Sequence, residues 1–311
     1  GGMEILGDRS WGRKWWAGAA GCVLLALALL TRVQLGYWQD TTTLFEHVTR
    51  VTSDNHLAYN ILGTELTLEK EFEEAVELYQ KALRISPGFT LAHHNLGVAL
   101  IEQGRVDESI EHYLEAVRIN PEYYQAHYDL GLILEREGRT AEAIEHFQEV
   151  VRIDPRNSQA HHYLGVALAG QGRVEEAMKH YREVVNLDPL HATAHSNLGV
   201  ALVERGGVEE GLGHLEESLR INSQDALVQQ GLGVILLGQG RVDEAVEHLQ
   251  EALRIRPGDS QIHYNLGVAL VEQGWVEAAI EHFDKALEID PELADARRNL
   301  VFVLDQATEG Y

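Results

Sequence analysis

Apolar and polar positions follow a helical period along most of this chain. Ala92, Leu96 and Leu100 recur at intervals of four with Gly97 beside them, so small and apolar side chains share one helical face. A glycine follows at Gly104, and a second amphipathic run begins, of the kind seen from Glu142 to Val150 (EAIEHFQEV). The alternation then repeats. NLGVAL begins at Asn95, Asn197 and Asn265, at separations of 102 and 68 residues, which are three and two times 34. All six prolines keep the same interval, at Pro87, Pro121, Pro155, Pro189, Pro257 and Pro291, with Ser223 on the missing beat. A fixed period of this size is the signature of stacked repeats that bury their faces on one another.

Phased on the glycine of LG, the period gives seven full units: 56–89, 90–123, 124–157, 158–191, 192–225, 226–259 and 260–293. Each predicts two helices, the first broken by a glycine (Gly104, Gly138, Gly172, Gly206, Gly240, Gly274) and the second ending before the proline. No alternating Val/Ile/Thr runs predict strands, and the fold class is all-α. The pattern resembles the tetratricopeptide repeat (TPR) over roughly residues 56–308. Gly63, Ala75, Tyr79, Ala82 and Pro87 form a full set, as do Gly267, Ala279, Phe283, Ala286 and Pro291. The resemblance implies a right-handed superhelical solenoid, to which the residues at the two ends add an N-terminal hydrophobic helix and partial repeats at 37–55 and 294–311. The fifth unit departs most, with Gly211, Leu215, Ser218 and Ser223 at four motif positions and Gly213 within the helix. Helix-interior glycines each cost about 1 kcal/mol relative to alanine, so this is the expected weak point of the array.

Composition narrows the function. The 25 Lys and Arg against 49 Asp and Glu give a net charge of −24, which argues against a nucleic-acid ligand because phosphates need a basic footprint. A single cysteine, Cys22, leaves no internal disulfide framework.

The N-terminal region has a different texture. Residues 1–14 precede an apolar segment, 15–36, which opens WWAGAAGCVLLALALL behind Arg13 and Lys14. Trp15 and Trp16 flank it on one side and Tyr37 and Trp38 on the other, with Leu24, Leu27 and Leu30 inside. A helix of that length spans a hydrocarbon core, and the preceding positive charge puts the repeats on the periplasmic or extracellular side of a cell envelope. A cleaved signal segment and a lipidated cysteine are the alternatives. Residues 34–63 also resemble the junction at which multi-pass glycosyltransferases of the protein O-mannosyltransferase type pass from their last membrane helix into TPRs. None of that family's catalytic loops is present in this chain, so no active site carries over.

Candidate chemistry centres on histidine. Of 16 histidines, His93, His127, His161, His195 and His263 hold one repeat position, and His112, His146, His180, His214, His248 and His282 another. Five of the latter have a glutamate three residues on. Two ligands per repeat are too few for a closed zinc shell, so the expectation is no metal and histidines used as packing residues with polar tips. No nucleophile–base set, carboxylate pair or phosphate loop is visible. The expectation is a non-enzymatic protein with no cofactor. Titration of the histidines predicts a change in solubility and assembly near pH ~6.5.

The TPR resemblance implies a groove lined by the first helices, here with Val98, Ile101, Leu132, Val166, Val200, Val203, Val234, Leu237, Val268 and Val271. An apolar lining asks for an apolar or amphipathic partner helix. The ends suggest a second partner, another copy of the chain. Residues 37–55 have only second-helix features, with Phe45 and Val48, and 294–308 only first-helix features, with Leu300, Val301, Phe302 and Leu304. Joined head to tail they complete a repeat, a heterologous contact that propagates into a filament. In such a polymer the 15–36 segment would lie in a neighbour's groove instead of in lipid. The functions expected are therefore self-assembly, an anchored scaffold for a partner helix, or the TPR tail of a glycosyltransferase.

Overall fold

The computed structural model of the chain describes Leu27, Leu30, Arg32, Gly36 and residues 40–309 other than Ser53, with side chains described to Asp305. Among these residues every regular element is a helix. Most of the 15–36 segment, including Trp15, Trp16 and Leu24, lies outside the described residues, as do Tyr37 and Trp38. Leu27 and Leu30 are described and exposed. Among the described residues no helix is long and apolar enough to cross a membrane.

The chain forms two compact units, Gly1–Arg139 and Thr140–Tyr311. The first contains α1 (Thr41–Val51), α2 (His56–Leu68), α3 (Phe72–Ile85), α4 (Thr90–Glu102), α5 (Val106–Ile119) and α6 (Tyr124–Arg136). The second contains α7 (Thr140–Ile153), α8 (Ser158–Gly170), α9 (Val174–Leu187), α10 (Ala192–Glu204), α11 (Val208–Ile221), α12 (Ala226–Gly238), α13 (Val242–Ile255), α14 (Ser260–Glu272), α15 (Val276–Ile289) and α16 (Ala294–Glu309).

Two contacts explain why the sequence pairs its helices this way. Within each unit the first helix of a pair carries the LG glycine where the second helix lays a large ring or a leucine. A Cβ on Gly97 would stand 2.7 Å from Cε1 of Tyr113, and one on Gly165 2.6 Å from Cε1 of Tyr181. The turn between the helices then needs a left-handed residue, supplied by Gly104 at φ 74° and its counterparts. The first repeat has Lys70 there, at φ 66°, and so carries strain of about 1 kcal/mol that the other repeats avoid. Second helices end on an extended residue before the proline, as at Ser86 (φ −132°) and Asn120 (φ −130°). Asn222 adopts φ −131° although Ser223 follows it, so the stop does not depend on proline.

The fifth repeat is fitted more closely than its composition suggests. Gly211 stands where five of the other repeats have alanine and one has Ser109, and a Cβ there would meet Val203 Cγ2 at 2.6 Å and the Gly199 carbonyl oxygen at 2.7 Å. Gly211 is thus a packing requirement, whereas Gly213 has no atom within 4 Å of its Cβ position. The two substitutions have opposite expected signs. Gly213→Ala stabilises α11 by about 0.5–1 kcal/mol through helix propensity. Gly211→Ala, equally favoured by propensity, destabilises it by about 1–3 kcal/mol through overpacking. Hydrogen exchange across 208–221 reads both, and stabilisation by Gly211→Ala would contradict the close fit.

Candidate protein-interaction groove

Within each unit the residues expected to line a groove on the first helices differ in exposure. In the first unit Val98 and Ile101 on α4 and Leu132 on α6 are half-buried. Polar side chains join these helices. Asn95 Nδ2 donates to Asn60 Oδ1 at 3.1 Å, and His94 Nε2 lies 2.8 Å from Asp129 Oδ2.

In the second unit Val166, Val203, Leu237, Val268 and Val271 are half-buried, whereas Val200 and Val234 are 46% and 44% exposed. Leu237, Val268 and Val271 pack against buried clusters and so serve the core as well as the surface. Val200 borders a hollow of about 250 Å³ with Ala169, Tyr181, Asn197 and Glu204. The ten residues share two repeat stations but not one environment, and the two open valines lie on α10 and α12.

The end residues separate similarly. Phe45 and Val48 on α1 are half-buried. On α16, Ala296 and Val303 are buried, and Leu300 packs with Val303 against the last repeat. Val301, Phe302 and Leu304 remain exposed.

The histidines form a feature that composition did not reveal. In four repeats the histidine of the first helix bonds that of the second: His93–His112 at 3.1 Å, His161–His180 at 3.0 Å, His195–His214 at 3.0 Å and His263–His282 at 2.9 Å, always Nδ1 to Nδ1. The inner ring also donates from Nε2 to the preceding repeat's Pro87, Pro155, Pro189 or Pro257 carbonyl, at 2.9–3.2 Å. A carbonyl only accepts, so the inner Nδ1 is left with its lone pair and the outer ring donates from Nδ1. The sixth repeat places Gln229 at the inner position, where its Oε1 accepts from His248 Nδ1 at 2.7 Å. The constant separation of 19 residues was visible in the sequence, but only the helix-pair geometry turns it into a bond.

Four of the five glutamates three residues on pair with an arginine a further three residues along. Glu115 pairs with Arg118 at 2.5 Å, Glu217 with Arg220 at 2.5 Å and Glu251 with Arg254 at 2.6 Å. Among the described residues no group of three His, Cys, Asp or Glu side chains is placed to hold a metal ion.

Burial, reinforced by the facing imidazole, holds His112, His214 and His282 below the ordinary histidine range and His180 at about 4. The facing charges differ: Glu108, Glu111 and Glu115 near His112, Glu210, Glu217 and Arg182 near His214, Glu281 and Lys285 near His282. Histidine titration near pH ~6.5 therefore does not describe these four rings. The unfolded chain binds protons that the folded repeats resist. The contribution of His180 is complete above pH ~6.5 and is lost as the pH falls toward about 4.

Helix pairs with a small residue under a ring or leucine, repeated every 34 residues, define a tetratricopeptide-repeat protein. The TPR family model matches residues 63–104, and the model described as "Cilia and flagella-associated protein 70 C-terminal domain" matches residues 90–299. The chain belongs to this second family. No curated protein matches it. Among solved structures, YrrB, "a TPR protein with an unusual peptide-binding site", is 24% identical with a TM-score of 0.54, covering 59% of this chain and 95% of its own. The crystal structure of MamA protein is 25% identical with a TM-score of 0.51, covering 56% of this chain and 95% of its own. PilF of Pseudomonas aeruginosa is 18% identical with a TM-score of 0.58, covering 68% and 96%. YrrB and PilF carry the fold alone.

Groove and core predict different mutational costs. Val200→Gln and Val234→Gln change stability by no more than about 0.5 kcal/mol, as expected of partly exposed sites. Leu198→Ala, at a residue 1% exposed, costs about 2–5 kcal/mol. Chemical denaturation decides this, and a core-sized loss from either valine would mean that the groove is packing and not surface.

Proposed function

We propose that the chain is a non-enzymatic scaffold that seats an apolar or amphipathic helix of a protein partner on its first-helix face. TPRs mediate protein–protein interaction, and the observation that carries the finer reading is the exposure of Val200 and Val234 at equivalent stations of consecutive repeats. Val200, left open beside a hollow lined by Tyr181 and Asn197, offers an apolar anchor point with polar groups at its edge. The description of YrrB as a peptide-binding TPR protein is compatible with this use of the fold. The 15–36 segment supplies an anchor in a cell envelope, with the repeats outside the membrane. The likeness of 34–63 to a glycosyltransferase junction would make that anchor the last helix of a longer membrane protein.

Head-to-tail self-assembly is a second reading, favoured by the exposure of Val301 and Phe302 at 54% and 58% on α16. One feature restricts its form. Val301 stands 34 residues after Gly267, where a Cβ would come within 2.6 Å of the Phe283 ring. A second copy's α1 therefore cannot lay Phe45 on α16 in the register used inside the repeats. An end-to-end contact has to run through Phe302 and Leu304 instead.

Photo-crosslinking side chains at 200, 234 and 302 of the full chain distinguish these readings. Products from 200 and 234 that join a helical segment of another protein support the groove. Products from 302 that join residues 41–51 of a second copy support self-assembly. Yields from 200 and 234 no higher than from a control at Glu247 on a second helix would refute the groove reading.

A further inference from the structure

The His–His bonds are not explained by scaffolding. A Gln or Asn at the inner station would hold the second helix as well, as Gln229 does for His248. What a second imidazole adds is a place for a proton.

The bond sets how many protons each pair tolerates. In the pair His161–His180, Nε2 of His161 is committed to the Pro155 carbonyl at 3.2 Å and its Nδ1 accepts from His180 at 3.0 Å. One proton is accommodated on Nε2 of His180, because Nδ1 of that ring still donates. A second proton has only the inner Nδ1 left, where N–H would face N–H across a 3.0 Å gap. His161 is 6% exposed, so the rings have little room to swing apart without the helices doing so. Glu176 and Glu183 face the pair from α9 and favour the charged form, while Lys179 opposes it. In the sixth repeat the outer ring faces Gln229 and no second imidazole. There His248 accepts a proton on Nε2 and keeps its bond, with Glu216, Glu244 and Glu247 attracting the charge and Arg241 opposing it.

We propose that these His–His bonds are proton-gated latches: each holds its two helices together while no more than one ring is charged, and the second proton opens that repeat. The Gln229–His248 repeat is the built-in exception and stays closed. Acid then loosens the array at chosen repeats instead of uniformly, and the second unit contains three latches and the exception in one cooperative neighbourhood. Opening exposes the first-helix face of those repeats to rearrangement, which ties the state of any surface on α8, α10 and α14 to pH.

Hydrogen exchange on the full chain, corrected for intrinsic rates and compared at pH 7.5 and 4.5, tests the proposal. Protection across 158–187 should fall about tenfold or more beyond the fall across 226–255, the equivalent of one proton-binding step displaced by one pH unit. His161→Gln, which copies Gln229, should leave protection at pH 7.5 within a few-fold and reduce the acid loss at 158–187 to that of 226–255. Equal losses in the two repeats of the wild-type chain, or an unchanged loss in the variant, would overturn the latch. Nitrogen-15 shifts of the wild-type rings provide a second reading independent of the variant. His180 should be the Nδ1–H tautomer and His161 the Nε2–H tautomer at pH 7.5. The reverse assignment, with the shared proton on Nδ1 of His161, would refute the proposal.

Discussion

In six repeats the second helix approaches the first so closely that a bulky side chain rests on the backbone of a glycine, and the 34-residue period is the sequence record of that approach. Tyr79 lies on Gly63, Tyr113 on Gly97, Tyr181 on Gly165 and Phe283 on Gly267, with any Cβ excluded by contacts of 2.6–2.7 Å. The fifth and sixth repeats use Leu215 and Leu249 on Gly199 and Gly233, at 2.8 and 2.7 Å. Burial then acts on what it encloses. The phenol of Tyr181 is pushed up to about 12, and Tyr79 finds partners for its hydroxyl in Thr67 and Thr64. Fully burying such a ring contributes on the order of 2–3 kcal/mol, so the contact outweighs the surface ion pairs that decorate the second helices.

The remaining properties follow from the side of the first helix that this contact leaves over. One face is spent on the ring and another on the neighbouring repeat, which buries Ala92, Leu96 and Leu100 completely or nearly so. The last face is open, and valines there are neither core nor ordinary surface. Most of the acidic side chains sit on the second helices, several in Glu–Arg pairs spaced three residues apart, while Asp129 and Glu204 are carried by first helices. Such a division suits a partner recognised by shape and apolar contact more than by charge.

Much of this was legible in the sequence, because the period, the LG glycines and the prolines each report a local steric rule. The all-α class, the helix pairs and the turn glycines required nothing further. Other features depended on distances between helices. Lys70 in a left-handed turn looks like any lysine between two helices. Gly211 reads as a defect until Val203 and the Gly199 carbonyl are found against it. The histidine stations were plain, but a separation of 19 residues means a bond only once the second helix is folded back on the first. For the groove, sequence selected the station, and the structure distinguished Val200 and Val234 from the residues that also pack inward.

The dependence of the repeat on the ring-over-glycine contact is tested most directly by a double-mutant cycle at Gly165 and Tyr181, read by chemical denaturation. Gly165→Ala alone should destabilise the array by about 1–3 kcal/mol, because the added methyl overpacks against the ring. Tyr181→Ala alone should cost about 3–5 kcal/mol through lost burial. With the ring gone the methyl has room, so the double variant should be more stable than the sum of the single losses by at least about 1 kcal/mol. Strict additivity would show that the ring and the glycine do not constrain each other, and the account of the 34-residue period would fail.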